Sequence, residues 1–137
     1  MPPAKSILDR VDHVQIPVSD LRTSMAWYCA VFGLHRDEEP SGDQGFLKLP
    51  GGPLLVLWQT RDEKRSHFDY AGAPKPSIFF ATSSMRAVHD ALETARVTIT
   101  ERPASLDPDG QMKFLFFFDP DGNHRGVIDL AGHPGGW

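Results

Sequence analysis

Two side chains near the start of the chain, His13 and Gln15, are spaced to act together. They stand two residues apart in VDHVQIPV (residues 11–18), where Val14, Ile16 and Val18 alternate with His13, Gln15 and Pro17. A period of two puts one set on the packed face of a strand and the other on a more polar face. On that second face His13 can donate to or accept from a bound ligand near neutral pH. As a general base it would need an orienting partner, and the sequence identifies none. His124 follows a turn, where an exposed polar side chain is expected. Asp119, Asp121 and Asn123 suggest a calcium loop, but Gly122 falls at the fourth place where such a loop wants it at the sixth, and no acidic closing residue follows. Calcium is therefore dismissed. There is no Gly-x-Ser-x-Gly elbow, no phosphate-binding glycine loop and no His-Glu-x-x-His. Cys29 falls on the apolar stripe of a predicted helix and reads as a buried structural thiol, not a nucleophile.

The elements that carry these groups follow from periodicity and punctuation. Ser19 or Asp20 caps a helix whose stripe is Leu21, Met25, Tyr28 or Cys29, and Phe32, with Gly33 as its stop. Residues 35–39 form a frayed strand, and 45–49 and 54–59 form two more, separated by Pro50-Gly51-Gly52-Pro53. The second half repeats this order: a strand over 77–82, a helix capped by Ser83 or Ser84, then strands over 97–101, 111–118 and 126–130. Laying His13 over Ser77 puts Asp20 over Ser84, and laying Gly52 over Gly122 puts Val56 over Gly126. Such repetition indicates a duplicated module. The fold expected is α+β: two tandem βαβββ modules forming a curved mixed sheet, with a central cleft and helices outside. One domain over residues 1–137 would hold module 1 at about 8–60, a charged, Gly- and Pro-containing linker at 61–76, and module 2 at about 77–131. A connection that long suits a module linker, a lid or a segment crossing to a partner chain.

Composition excludes several classes of function. With 137 residues, 40% hydrophobic and 23% charged, the chain reads as an ordinary soluble globular protein. A net charge of −4 argues against a nucleic-acid partner, and the run Arg61-Asp62-Glu63-Lys64-Arg65 mixes signs. One cysteine permits no internal disulfide, the first ten residues lack a signal-peptide core, and no apolar run is long enough for a membrane span. A cytoplasmic location without membrane contact is the expectation.

Two motifs carry a resemblance. WYCAVFGL (residues 27–34) ends the first helix, and KFLFFFDPDGNHRGVIDL (113–130) forms a closing hairpin around an Asp-Pro-Asp-Gly-Asn turn. Together with DHVQIPV they resemble the vicinal oxygen chelate superfamily, which includes glyoxalases, bleomycin-resistance proteins and extradiol dioxygenases, from about residue 11 to 130. The resemblance implies metal-ligand places at His13, Val56, Ser77 and Gly126. Only the imidazole is a usual ligand, so the metal site is expected to be degenerate, no cofactor is expected, and a divalent ion would need relocated ligands such as His13, Gln15 and His124. The same resemblance implies a homodimer.

Aromatic residues then supply the positive signal. Trp58, Phe79, Phe80, Phe114, Phe116, Phe117 and Phe118 all lie on predicted strands, and alternation divides them between core and cleft. A floor of Val56, Trp58, Phe79 and Gly126 with His13, Gln15 and Ser77 as its polar groups is the make-up of a small-molecule pocket. The expected function is binding of an apolar or aromatic compound. Alternatives are a metal-dependent glyoxalase- or dioxygenase-like enzyme with moved ligands, and a metal-independent lyase or isomerase working through His13.

Overall fold

Among the described residues two helices begin by the same local chemistry, at Asp20 and Ser84. Asp20 Oδ1 accepts from the Thr23 N–H at 3.0 Å, and Ser84 Oγ accepts from the Ala87 N–H at 3.2 Å. Each cap satisfies a backbone donor that a first helical turn leaves unpaired. The helices are α1 (Leu21–Phe32) and α2 (Met85–Thr94), and Gly33, at φ 70°, ends α1 in the left-handed conformation that favours glycine. The computed structural model describes residues 5–36, 38–62 and 65–130. The expected end of module 2 at 131 and part of the charge run over 61–65 lie outside them.

Module 1 contains β1 (His13–Val18), α1, β2 (Gln44–Leu47) and β3 (Leu54–Gln59), with strand order β1-β3-β2. The strand expected over 35–39 is reduced, among its described residues, to a single bridge between His35 and Lys48. Next comes a hairpin, β4 (His67–Tyr70) and β5 (Ala73–Pro76), inside the passage expected to be a linker. Its turn residues Ala71 and Gly72 both have positive φ, 52° and 82°, as a two-residue hairpin turn of matched twist requires. Module 2 contains β6 (Phe79–Thr82), α2, β7 (Ile99–Glu101), β8 (Lys113–Phe118) and β9 (His124–Asp129), in the order β6-β9-β8-β7. The architecture is α+β with mixed sheets, as expected, and the element order repeats.

Strand register supports the duplication residue by residue. β1 runs parallel to β3 with Gln15 opposite Val56, and β6 runs parallel to β9 with Phe79 opposite Gly126. His13 lies two residues before Gln15, and Ser77 two before Phe79, so the offsets read from sequence recur in the hydrogen-bonded pairs. Ser77 itself lies in a bend, since β6 starts two residues later than expected.

Two clusters of apolar side chains hold the modules. Ile16, Val18, Leu21, Met25, Tyr28, Leu47, Leu55 and Leu57 form the first, and Met85, Leu92, Leu115, Phe117 and Val127 the second. Trp27, Phe32 and Phe80 pack against both, so α1 is the seam between modules. Each fully buried aliphatic or aromatic side chain contributes about 1.5–3 kcal/mol.

A polar knot crosses the same seam. Arg125, with no exposed side-chain surface, points from β9 toward α1 and makes an ion pair of 3.1 Å with Asp119. Tyr28 Oη donates to Asp119 Oδ2 at 3.0 Å and accepts from Arg125 Nε at 3.3 Å. Arg125 also donates to the Ser66 carbonyl at 3.0 Å and to Ser66 Oγ at 2.7 Å. The closing turn adds two further anchors. Asp121 accepts from the Ser19 N–H, Ser19 Oγ and Ser24 Oγ, and Asn123 Oδ1 accepts from the Ser66 N–H at 2.7 Å. The Asp119–Asn123 turn therefore joins three parts of the chain: its own strands, α1 and the start of the β4–β5 passage.

Candidate functional site

On β1, Val14, Ile16 and Val18 pack toward α1, which leaves His13, Gln15 and Pro17 on the opposite face. On β3 the same alternation sends Leu55 and Leu57 inward and Leu54, Val56 and Trp58 to that opposite face. Phe46 of β2 stands across from Val56. His13, Gln15, Val56 and Trp58 thus share one surface, as expected from sequence. Phe46 and Trp58 are large apolar side chains left 42% and 40% exposed, so this surface is not filled by the protein's own core. A cavity of about 360 Å³, lined by Glu38, Phe46, Lys48 and Leu54, meets this surface at Phe46 and Leu54.

Two exposed hydrogen bonds orient the polar groups on this surface. Asp12 Oδ2 lies 3.0 Å from His13 Nδ1. A carboxylate only accepts, so Nδ1 carries the proton, and Nε2 is an acceptor in the neutral ring. The His13 hydrogen bond also holds the exposed Asp12 carboxyl below its ordinary range. Trp58 Nε1 donates to Gln15 Oε1 at 2.6 Å. Indole N–H is a donor only, so the Gln15 amide must turn its oxygen to Trp58 and its NH₂ away. Asp12 is the orienting partner that sequence reasoning did not find, although it is the residue next to His13. Phe46 was also missed, because a large apolar side chain on a strand reads as core by its type alone.

The second module presents Phe79, Ala81, Phe114, Phe116, His124 and Gly126 on the corresponding face, by strand alternation. Phe79 is 46% exposed and Phe114 is 39% exposed. Phe79 meets Phe114 and Phe116 edge-on, with ring centres 6.3 and 5.7 Å apart. A Cβ built on Gly126 would overlap the Phe79 ring. The place beside Gly126 is therefore filled by an aromatic ring, and Ser77 is exposed in the preceding bend. Among the described residues no group of three His, Cys, Asp or Glu side chains is arranged to hold a metal ion.

His124 departs from expectation, being only 7% exposed. The β4–β5 hairpin folds over it: Nδ1 donates to the Pro74 carbonyl at 3.1 Å, and Nε2 accepts from Thr100 Oγ1 at 3.0 Å. Phe116 and Phe118 flank its ring at 5.5 and 5.0 Å. With both nitrogens engaged, it is not poised to join His13 and Gln15 around an ion. Burial holds its pKa below the ordinary histidine value, opposed by the Pro74 hydrogen bond. The unfolded chain would take up this proton near pH 6.5 while the folded chain resists, so the contribution to stability is lost as pH falls through that range. Between about pH 7.5 and 5.5 the wild-type melting temperature should therefore fall more than that of His124→Gln. Equal falls would show that His124 does not set the acid side of the stability curve.

An apolar crevice of about 220 Å³, lined by Phe32, Leu34, Leu49, Pro50, Phe80 and Val88 among others, lies at the module seam. It takes in side chains of the helix-packed face and shares no lining residue with the surface of His13 and Gln15.

Residues 10–124 match the Glyoxalase/Bleomycin resistance protein/Dioxygenase superfamily, and the chain belongs to that family. The fold is similar to that of a lactoylglutathione lyase from Agrobacterium tumefaciens, with TM-score 0.67, 18% identity, and 94% of this chain and 99% of that one covered. It is also similar to an antibiotic binding protein from a Streptomyces species, with TM-score 0.66, 19% identity, and 91% and 98% covered. An integron cassette protein of V. cholerae aligns at 25% identity with TM-score 0.65, over 92% of this chain and 98% of that one. No curated protein matches the chain. No described helix is long and apolar enough to cross a membrane.

Proposed function

We propose that this protein binds an apolar or aromatic small molecule on the face that carries His13, Gln15, Val56 and Trp58, and that its family's metal site has been lost. One observation carries the reading: Phe46 and Trp58 stay exposed beside the buried Val56 on a sheet face whose few polar groups are already oriented, and a cavity meets that face at Phe46 and Leu54. A divalent ion takes three or four ligands of imidazole or carboxylate type. Of the four places the family resemblance implies, Val56 and Gly126 offer no side-chain donor and Ser77 only a hydroxyl. The antibiotic binding protein of similar fold is in keeping with sequestration as a role.

Homodimerisation is part of the proposal. β1 and β6 are edge strands, and the exposed Phe79 and Phe114 form a second apolar face that a copy of the chain would cover. Sedimentation at two protein concentrations checks it, and a monomer throughout would remove this part.

The Asp12–His13 hydrogen bond favours one second reading, a metal-independent lyase or isomerase with His13 as base. Turnover lost in His13→Gln with ligand binding retained would establish it.

The test of the binding reading is a panel of apolar and aromatic compounds titrated by tryptophan quenching. Saturable quenching is expected for at least one compound, and Trp58→Ala, read by calorimetry because it removes the reporting indole, should weaken binding by about 1–3 kcal/mol, roughly tenfold to a hundredfold. Melting with Ni²⁺, Zn²⁺, Mn²⁺ and Fe²⁺ should show no His13-dependent shift, whereas an ion at 100 times its Kd would add about 2.7 kcal/mol. Silence across the panel, or such a shift, overturns the reading.

A further inference from the structure

We infer that this face takes an aromatic compound bearing a hydroxyl at one end and a carbonyl at the other. The hydroxyl donates to His13 Nε2, and the carbonyl accepts from the Gln15 amide N–H. The inference rests on the binding reading above and supplies its ligand class.

The argument is one of donors and acceptors. In the neutral ring the Asp12 contact places the His13 proton on Nδ1, so the nitrogen that remains is an acceptor and calls for a donor on the ligand. Trp58 fixes the Gln15 oxygen, so the group that remains is a donor and calls for an acceptor. The two residues are separated by one position on the same face of β1, about 6.6 Å apart along the strand. That span is close to the length of one substituted aromatic ring. Beside them on the neighbouring strand stand Leu54 and the buried Val56, opposite His13 and Gln15 in the parallel register, and Phe46 and Trp58 flank Val56. A ring lying along the strand would cover part of Leu54 and rest on the exposed surfaces of Phe46 and Trp58, which flank the buried Val56. Both polar ends would then find partners. A ligand with two hydroxyls would leave the Gln15 N–H facing a weaker acceptor, and one with two carbonyls would set an acceptor against an acceptor at His13. Asp12 is a positioning residue here. It touches no ligand atom and acts by holding the imidazole in one tautomer.

The experiment titrates the purified full chain with 4-hydroxybenzophenone, its methyl ether, benzophenone and diphenylmethane, read by tryptophan quenching with Trp58→Phe as control. The phenol should bind about tenfold tighter than its methyl ether, the scale of one good hydrogen bond. His13→Phe should abolish that ratio. Asp12→Ala should reduce it while leaving the affinity of the ether unchanged, a result that a purely structural role for Asp12 would not produce. Gln15→Leu should weaken the three ketones and spare diphenylmethane. Equal binding of phenol and ether, or an unchanged ratio in Asp12→Ala, overturns the inference and leaves the binding reading in place. So does a wider apolar panel in which other compounds bind and the benzophenones do not. If nothing in the panel binds, the binding reading falls first and the inference falls with it.

Discussion

Replacing Arg125 by methionine is expected to lower stability by about 3–5 kcal/mol, a large part of the margin of a domain this size. The guanidinium is fully buried, and its partners Asp119, Tyr28 and Ser66 come from three separate parts of the chain. Methionine matches much of the arginine stem but leaves the Asp119 carboxylate buried without its cation. An uncompensated buried charge costs more than the pair itself contributes. Adding Asp119→Asn should therefore recover part of the loss, because the charge is gone while Oδ1 can still accept from the Asp121 and Asn123 N–H groups of the turn. Urea unfolding of the wild type, Arg125→Met and the double variant measures both quantities. A single variant within about 1 kcal/mol of the wild type would show that the knot does not hold the modules together. Tyr28→Phe should cost less, about 1–3 kcal/mol, since Asp119 keeps the arginine. Burial raises the Tyr28 hydroxyl far above the usual phenol range, so it stays a donor throughout.

Local signals carried much of the fold. Asp20, Ser84 and Gly33 mark helix ends through bonds made within a few residues, so a sequence pattern suffices to place them. The alternation of Val14, Ile16 and Val18 likewise survives as an inward face. The knot could not be found this way. Tyr28 and Asp119 are 91 residues apart, and Ser19 and Asp121 are 102 apart, so nothing in either neighbourhood announces the other. Asp119, Asp121 and Asn123 read as turn formers, which they are, but each also anchors a distant segment. His124 was misplaced for a related reason. Its position after the turn suggested exposure, yet residues 67–76, within the expected linker, fold into a hairpin that covers it. At the candidate site, His13, Gln15, Val56 and Trp58 were grouped by period-two reasoning, and the register agrees. What that reasoning lacked was orientation: Asp12 and Trp58 decide which atoms of His13 and Gln15 face outward, and such choices depend on side-chain geometry.

Gly126→Glu, which puts a carboxylate where the family resemblance implies a metal ligand, is expected to destabilise the protein by about 1–3 kcal/mol and to create no metal site. The Cβ alone overlaps the Phe79 ring. Phe79 is half-exposed and can swing away, but it then gives up its edge contacts with Phe114 and Phe116, each worth about 0.5–1.5 kcal/mol. Phe79→Ala in the same chain should therefore reduce the further cost of adding the glutamate. No ion is expected to repay that cost. Beside the new carboxylate, Ser77 offers a neutral hydroxyl, and the duplicated place in module 1 offers His13 with Val56 instead of a second carboxylate. Three good ligands are the minimum for a catalytic zinc site, and this variant has two at most among the four places. Melting of Gly126→Glu with and without Zn²⁺ or Ni²⁺ decides the matter. A rise of about 2.7 kcal/mol at 100 times the dissociation constant would mean that other side chains already supply the missing donors. The protein would then be one substitution away from metal binding, and the proposal of a metal-free binding protein would have to yield to a metal enzyme with relocated ligands.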